Sequence, residues 1–268
     1  MLKKFLIGCL SVFLLGCIAI LVYMYGPWWL KELPGYDYSY GTISSIDVPE
    51  GYERISDDKT GFADYLRNLP LAAEVEQVHI FSGELADSLL PYTYRVINMP
   101  LFNRYEQCAD VCIRMRAEYL FRTRQFRKIH FEDTQYNTMR YYWGGRWSKF
   151  VPYLRYVFRF ANTESLIHEM PQRPLAEMQV GDVFVYCNKD REDKEYGHAI
   201  MVADVARNPV TGKKIFMLLQ GSTPACDIHI LKNRENPVLS PWFELDERAS
   251  VLNLGTASYF SGELRYFK

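Results

Sequence analysis

Between positions 103 and 119, apolar residues recur every three or four positions. Tyr105, Cys108, Cys112, Met115 and Tyr119 fall on one stripe, with Arg114, Arg116 and Glu118 around it, the period of an amphipathic helix. Asn103 and Glu106 have capping-box spacing, which predicts a helix starting at Arg104. A second helix is predicted from Ser148 as N-cap, with Phe150, Leu154, Val157, Phe158 and Ala161 on its apolar face and Lys149, Arg155 and Arg159 on its wet face. Pro152 falls early enough in that helix to be tolerated. Upstream, 61–69 reads as a short helix closed by Pro70, and 74–81 and 92–99 read as strands. Downstream the pattern shortens to apolar runs at 182–186, 197–205 and 214–219, rich in Val, Ile, Met and Phe. These read as strands, the last two joined by a turn at 208–212. A cysteine-bearing helix followed by adjacent antiparallel strands predicts an α+β domain.

Ahead of these elements, Lys3 and Lys4 precede an uncharged stretch at 5–25. As a helix at ~1.5 Å per residue it would reach ~31 Å, about one hydrocarbon core. Gly26, Pro27, Trp28 and Trp29 follow, and the lysines favour an inside N-terminus. The prediction is a signal anchor at 1–30, a tether at 31–47 and a single exported domain at 48–268, with a candidate helical insertion at 131–173. Leu14-Leu15-Gly16-Cys17 resembles a lipobox, so acylation at Cys17 is the alternative anchor, and a cleaved signal peptide is the third reading. All three export the domain.

Composition narrows the function classes. The 268 residues are 49% hydrophobic and 24% charged, which excludes disorder as the main state, and 31 Lys+Arg against 32 Asp+Glu leave no basic excess for nucleic acid. Six cysteines without a repeated Cys-x-x-Cys pair suit neither a small disulfide scaffold nor the common zinc spacing. No metal or other cofactor is predicted. Cys187 and Cys226 are candidates for a disulfide outside the cytoplasm, and the 15% aromatic content suits a large core or an aromatic-lined groove.

A nucleophilic thiol must lose its proton, and a helix N-terminus with a nearby imidazole lowers a cysteine pKa. Cys108, in Glu106-Gln107-Cys108-Ala109-Asp110, is the better placed thiol, with Cys112 one turn deeper. Against this, paired cysteines on an apolar stripe commonly serve as core residues, and a start at Arg104 would bury Cys108 in the second turn. His198 follows Gly197 at the mouth of a strand, and Gln220 ends the next one, where its amide could fix the imidazole tautomer. His229, in Asp227-Ile228-His229-Ile230, reads as the outward residue of a strand, and with Cys226 it lacks the further ligands a metal needs. His79 and His168 read as surface positions. Trp143-Gly144-Gly145-Arg146-Trp147 could stack on sugar rings or close a core against a loop.

Gly181-Asp182-Val183-Phe184-Val185-Tyr186, a charged turn, and Gly197-His198-Ala199-Ile200-Met201-Val202 resemble the second half of the papain-like cell-wall hydrolases, the NlpC and CHAP families. Their order of Cys on a helix, His on a strand and a polar residue on the next strand is the order Cys108, His198, Gln220. More closely, Gly61-Phe62-Ala63-Asp64-Tyr65-Leu66-Arg67, Gln107-Cys108-Ala109-Asp110, Arg114-Met115-Arg116-Ala117-Glu118-Tyr119-Leu120, Gly197-His198-Ala199 and the run 219–232 resemble the bacterial family called domain of unknown function 4846. That likeness covers nearly all of 50–245. It implies a single domain in the bacterial envelope, held at the membrane on the periplasmic side, and brings no established activity.

The resemblances together imply a papain-like, NlpC/CHAP-type fold and a cysteine hydrolase or transferase acting on an amide or peptide bond, with peptidoglycan the candidate substrate. Cys108 would be the nucleophile, His198 the base and Gln220 its orienting partner, with Gln107 helping backbone N–H groups at the oxyanion and Trp143 and Trp147 as candidate binding residues. The competing expectation is a noncatalytic envelope module that holds a peptide, glycan or protein in the same groove.

Overall fold

A computed structural model describes residues 15–17, 36–55, 61–73, 77–191 and 196–268. The chain divides into two units, Met1–Tyr36 and Asp37–Lys268. The expected span at 5–25 lies outside the described residues except for 15–17, which are helical. Among the described residues no helix is long and apolar enough to cross a membrane.

The second unit is a mixed α+β fold. In chain order it contains β1 (Glu53–Arg54), α1 (Phe62–Arg67), β2 (Thr93–Val96), α2 (Cys108–Arg122), β3 (His130–Glu132), β4 (Thr138–Arg140), α3 (Trp147–Phe160) and α4 (Thr163–Glu169). There follow β5 (Val183–Tyr186), β6 (His198–Arg207), β7 (Lys214–Gln220), β8 (His229–Leu231), β9 (Phe243–Glu244), β10 (Val251–Leu254), β11 (Ala257–Phe260) and β12 (Leu264–Arg265). Eight strands pair antiparallel in one sheet, in the order β12-β5-β6-β7-β8-β2, with β1 beside the end of β6 and β9 beside the start of β7.

The continuous apolar runs of β5, β6 and β7 are explained by cover on both faces. Phe184, Ile200, Val202, Phe216 and Leu218 join Leu252, Leu254 and Tyr259 of the β10–β11 hairpin in one buried cluster, while α2 packs on β6 and β7 and against α1. The predicted turn at 208–212 joins β6 to β7. Asn208 Oδ1 accepts from the backbone N–H of Val210 and Thr211, at 2.9 Å each, and Gly212 takes φ 73°. Beyond a bulge between Val202 and Asp204, the buried Asp204 carboxylate accepts from Arg54 Nε at 2.6 Å and Arg67 Nε at 2.7 Å. One side chain of the central strand thus ties down β1 and α1.

Two boundaries differ from the sequence reading. Ile43 and Ile46 are buried, and the Ile43 N–H donates to Leu69 O at 3.1 Å, so 37–47 belongs to the folded unit instead of a tether. The candidate helical insertion at 131–173 contains α3 and α4 together with most of the β3–β4 hairpin. Residues 74–76 of the expected strand at 74–81 lie outside the described residues, and His79 and Ile80 form only isolated bridges, to Leu85 and Cys226.

Candidate active site

The first helical residue of α2 is Cys108 itself, not Arg104. Gln107 is the N-cap, extended at φ -94° and ψ -165°, and its N–H donates to Asp110 Oδ2 at 3.0 Å, while the Val111 N–H closes the first turn onto Gln107 O at 3.0 Å. The expected capping pair is used otherwise. Asn103 Oδ1 accepts from the Tyr105 N–H at 2.9 Å, and Glu106 accepts from the Phe102 N–H at 2.7 Å and from the buried Arg114 at 2.5 Å. The ion pair holds Glu106 in the loop, so the thiol moves to the positive end of the helix.

His198 opens β6, opposite Tyr186 of β5, and the preceding glycine is required by close approach. A Cβ on Gly197 would collide with Thr163 Oγ1 of α4 and sit 2.8 Å from Tyr186 O. Gly197→Ala is therefore expected to cost about 1–3 kcal/mol through overpacking and to push His198 off its position. Urea unfolding of the full-length chain checks this, and an unchanged midpoint would mean that α4 and β5 yield freely. Gly221 is also close-packed, with a Cβ there 2.7 Å from Val111 Cγ2.

Gln220, at the end of β7, is buried, and its Oε1 lies 3.0 Å from His198 Nε2. The Thr256 hydroxyl donates to the same oxygen at 3.3 Å. With Nε2 engaged, Nδ1 of His198 is the ring nitrogen left for Cys108, whose thiol is influenced by the imidazole and by the backbone N–H groups of Ala199 and Ala109. Burial alone pushes the Cys108 thiol up, but the imidazolium charge, its hydrogen bond and the two N–H groups outweigh it and bring the thiol below its ordinary value. Burial likewise pulls His198 down, and the Cys108 thiolate together with the hydrogen bond that Nε2 donates to Gln220 carries it above its ordinary value. These opposed shifts favour a thiolate–imidazolium pair, a nucleophile beside its own proton carrier.

The surroundings set Cys108 apart from the other described thiols. Burial pushes Cys112 well up and Cys226 to about 12, and both remain free. Cys187 is also buried and outside any disulfide, so the candidate Cys187–Cys226 disulfide is not formed. Burial holds the Asp110 carboxyl well above the ordinary carboxylate range, favouring its neutral form two residues from the thiol. The Gln107 side chain turns to the loop after β7, its Oε1 accepting from the Thr223 hydroxyl at 3.2 Å.

Trp143 and Trp147 are placed elsewhere. Trp147 packs its ring 5.5 Å from Phe121 and 5.3 Å from Phe150, and Trp143 lies 5.5 Å from Tyr141. Phe121 is at the opposite end of α2 from Cys108, about 20 Å along the axis at helical rise. His229 corrects the sequence reading in the other direction. It is fully buried directly across from Gln220, with Nε2 3.0 Å from Gln220 Nε2 and Nδ1 2.9 Å from Asp227 O. Thr256 was equally invisible as a partner. The one sequence signal for His229 was the unbroken apolar run Ile228, Ile230 and Leu231 around it. Among the described residues no group of three or more His, Cys, Asp or Glu is arranged to hold a metal ion.

No curated protein and no solved structure matches the chain. The family described as Domain of unknown function (4846) matches residues 43–147 and 144–265, so that Cys108 falls in the first matched segment and His198, Gln220 and His229 in the second. With both halves of the thiol site and most of its length inside those segments, the chain belongs to the Domain of unknown function (4846) family.

Proposed function

We propose that this protein is an envelope-anchored, papain-like cysteine hydrolase or transferase that acts on an amide or peptide bond, with a peptidoglycan stem peptide as its substrate. The observation that carries the reading is a thiol on the first residue of a helix, electrostatically paired with an imidazole whose Nε2 lies 3.0 Å from the Gln220 amide oxygen. The Cys108 sulfur attacks the carbonyl carbon, and its proton resides on His198. The Cys108 backbone N–H at the start of α2, with the Gln107 side chain beside it, receives the developing oxyanion. Collapse breaks the C–N bond, His198 gives its proton to the leaving amine, and a thioester remains on Cys108. Water, or an acceptor amine in a transferase, loses a proton to His198 as it attacks the thioester and frees the thiol. The N-terminal segment holds this chemistry on the periplasmic side of the membrane.

A noncatalytic module that binds a peptide, glycan or protein at the same groove is the second reading, favoured by the small exposure of Cys108, 6%. Incubating the full-length chain with purified stem peptides, with mass detection of the released amine, separates the two. Turnover that stops after iodoacetamide treatment is expected. Binding without turnover, together with alkylation of Cys108 only after unfolding, would overturn the enzyme reading in favour of the binding module.

A further inference from the structure

We infer that His229 is a positioning residue that fixes the direction of the Gln220 amide, and through it the ring nitrogen that His198 presents to Cys108. The inference rests on the proposed nucleophilic role of Cys108 and adds a second imidazole that touches neither thiol nor substrate. Asp227 O lies 2.9 Å from His229 Nδ1. A carbonyl oxygen only accepts, so Nδ1 carries the proton and donates. Burial pushes His229 down to about 4, and a neutral imidazole has one N–H, so Nε2 presents a lone pair. The Gln220 atom 3.0 Å from that lone pair must be the amide nitrogen. The amide oxygen then points the other way, to His198 Nε2 at 3.0 Å and the Thr256 hydroxyl at 3.3 Å. His198 Nε2 therefore donates, and Nδ1 is the nitrogen that exchanges a proton with the sulfur.

The opposite orientation fails at each link. A proton on His229 Nε2 would face the Gln220 amide hydrogens and set the Nδ1 lone pair against Asp227 O. Turning the amide to relieve the first conflict would aim its NH₂ at His198 Nε2 and at a hydroxyl that could then only accept. His198 would carry its proton on Nδ1 and have no base for the thiol. Gln220 and His229 are 1% and 0% exposed, so these links bear on each other directly, with little solvent to replace a lost partner. A glutamine alone has two orientations of the same shape, and the chain from Asp227 O through His229 selects one of them.

Two measurements on the full-length chain test this. In protein labelled with ¹⁵N-histidine, two-bond ¹H–¹⁵N correlations at neutral pH are expected to show His229 protonated on Nδ1 and bare on Nε2, with His229→Gln assigning the signal. A proton on Nε2 overturns the inference without reference to any variant's stability. The second is the pH profile of Cys108 alkylation by iodoacetamide, read by fragmentation of the peptide 105–114. His229→Gln keeps an acceptor at the end of its side chain and should stay close to the wild-type profile. His229→Leu, which fills similar space without one, should slow alkylation at neutral pH by roughly 10-fold or more and move the thiol's apparent pKa upward. A folded Leu variant that reacts like wild type, or a Gln variant slowed as much as the Leu variant, overturns the inference. Wild-type Cys108 that reacts only after unfolding would instead sink the nucleophile assignment, and the His229 spectrum would still decide the orientation.

Discussion

Cys108→Ala is expected to bring amide hydrolysis to background, His198→Ala to lower it by about 10²–10⁴-fold, and the double variant to cost no more than Cys108→Ala alone. A thiol and the imidazole that carries its proton act as a unit, so the second deletion removes a function already lost. The pH dependence gives a sharper signature. Cys108 lies below its ordinary value and His198 above it, so the reactive ion pair forms as pH rises through the lower apparent value of the pair and is lost as pH rises through the higher one. Activity should follow a bell between them. In His198→Ala the charge and hydrogen bond that hold the thiol down are gone while burial remains. Its iodoacetamide reactivity should therefore move to the alkaline side of an ordinary thiol. Initial rates of amine release and alkylation rates across pH check both points. An alkylation profile in His198→Ala superimposable on wild type would remove the imidazole from the assigned role.

The parts of this fold that period and turn chemistry control were legible in the chain. The turn at 208–212 and the strands around it follow from Asn208, Gly212 and uninterrupted apolar runs, and the pairing of Gln220 with His198 follows from the ends of two neighbouring strands. What was misread depends on partners distant in sequence. Asn103 and Glu106 have the spacing of a cap, but Glu106 is drawn away by Arg114, and local spacing cannot register that competition. His229 looks outward if alternation runs from Asp227, yet β8 starts at His229 and is buried at all three residues. Ile43 looks like linker because its partner, Leu69 just after α1, belongs to a different segment. Arg146, not Ser148, caps α3, a small shift that leaves its apolar face unchanged.

Arg114→Met should destabilise the full-length chain by about 3–5 kcal/mol, because it removes the cation from a buried triad and leaves two carboxylates behind. The side chains of Arg114, Glu106 and Glu118 have no solvent exposure, with Nη1 2.5 Å from Glu106 and Nε 2.8 Å from Glu118. Arg114 also donates to Pro100 O at 3.1 Å and stacks 3.8 Å over the Phe102 ring. These contacts fasten the loop that delivers Gln107 and Cys108, so thiol reactivity should fall with stability. Burial raises Glu106 above its ordinary value even against the pull of Arg114, and losing Arg114 raises it further. The native state then binds more protons than the unfolded state, so stability falls as pH rises through the raised value. Urea unfolding should accordingly find a larger deficit at neutral pH than in mild acid. Adding Glu106→Gln and Glu118→Gln to Arg114→Met should recover part of the loss, since the buried charges leave together. A single variant within about 1 kcal/mol of wild type at neutral pH would mean that the triad neither stabilises the core nor sets where α2 begins.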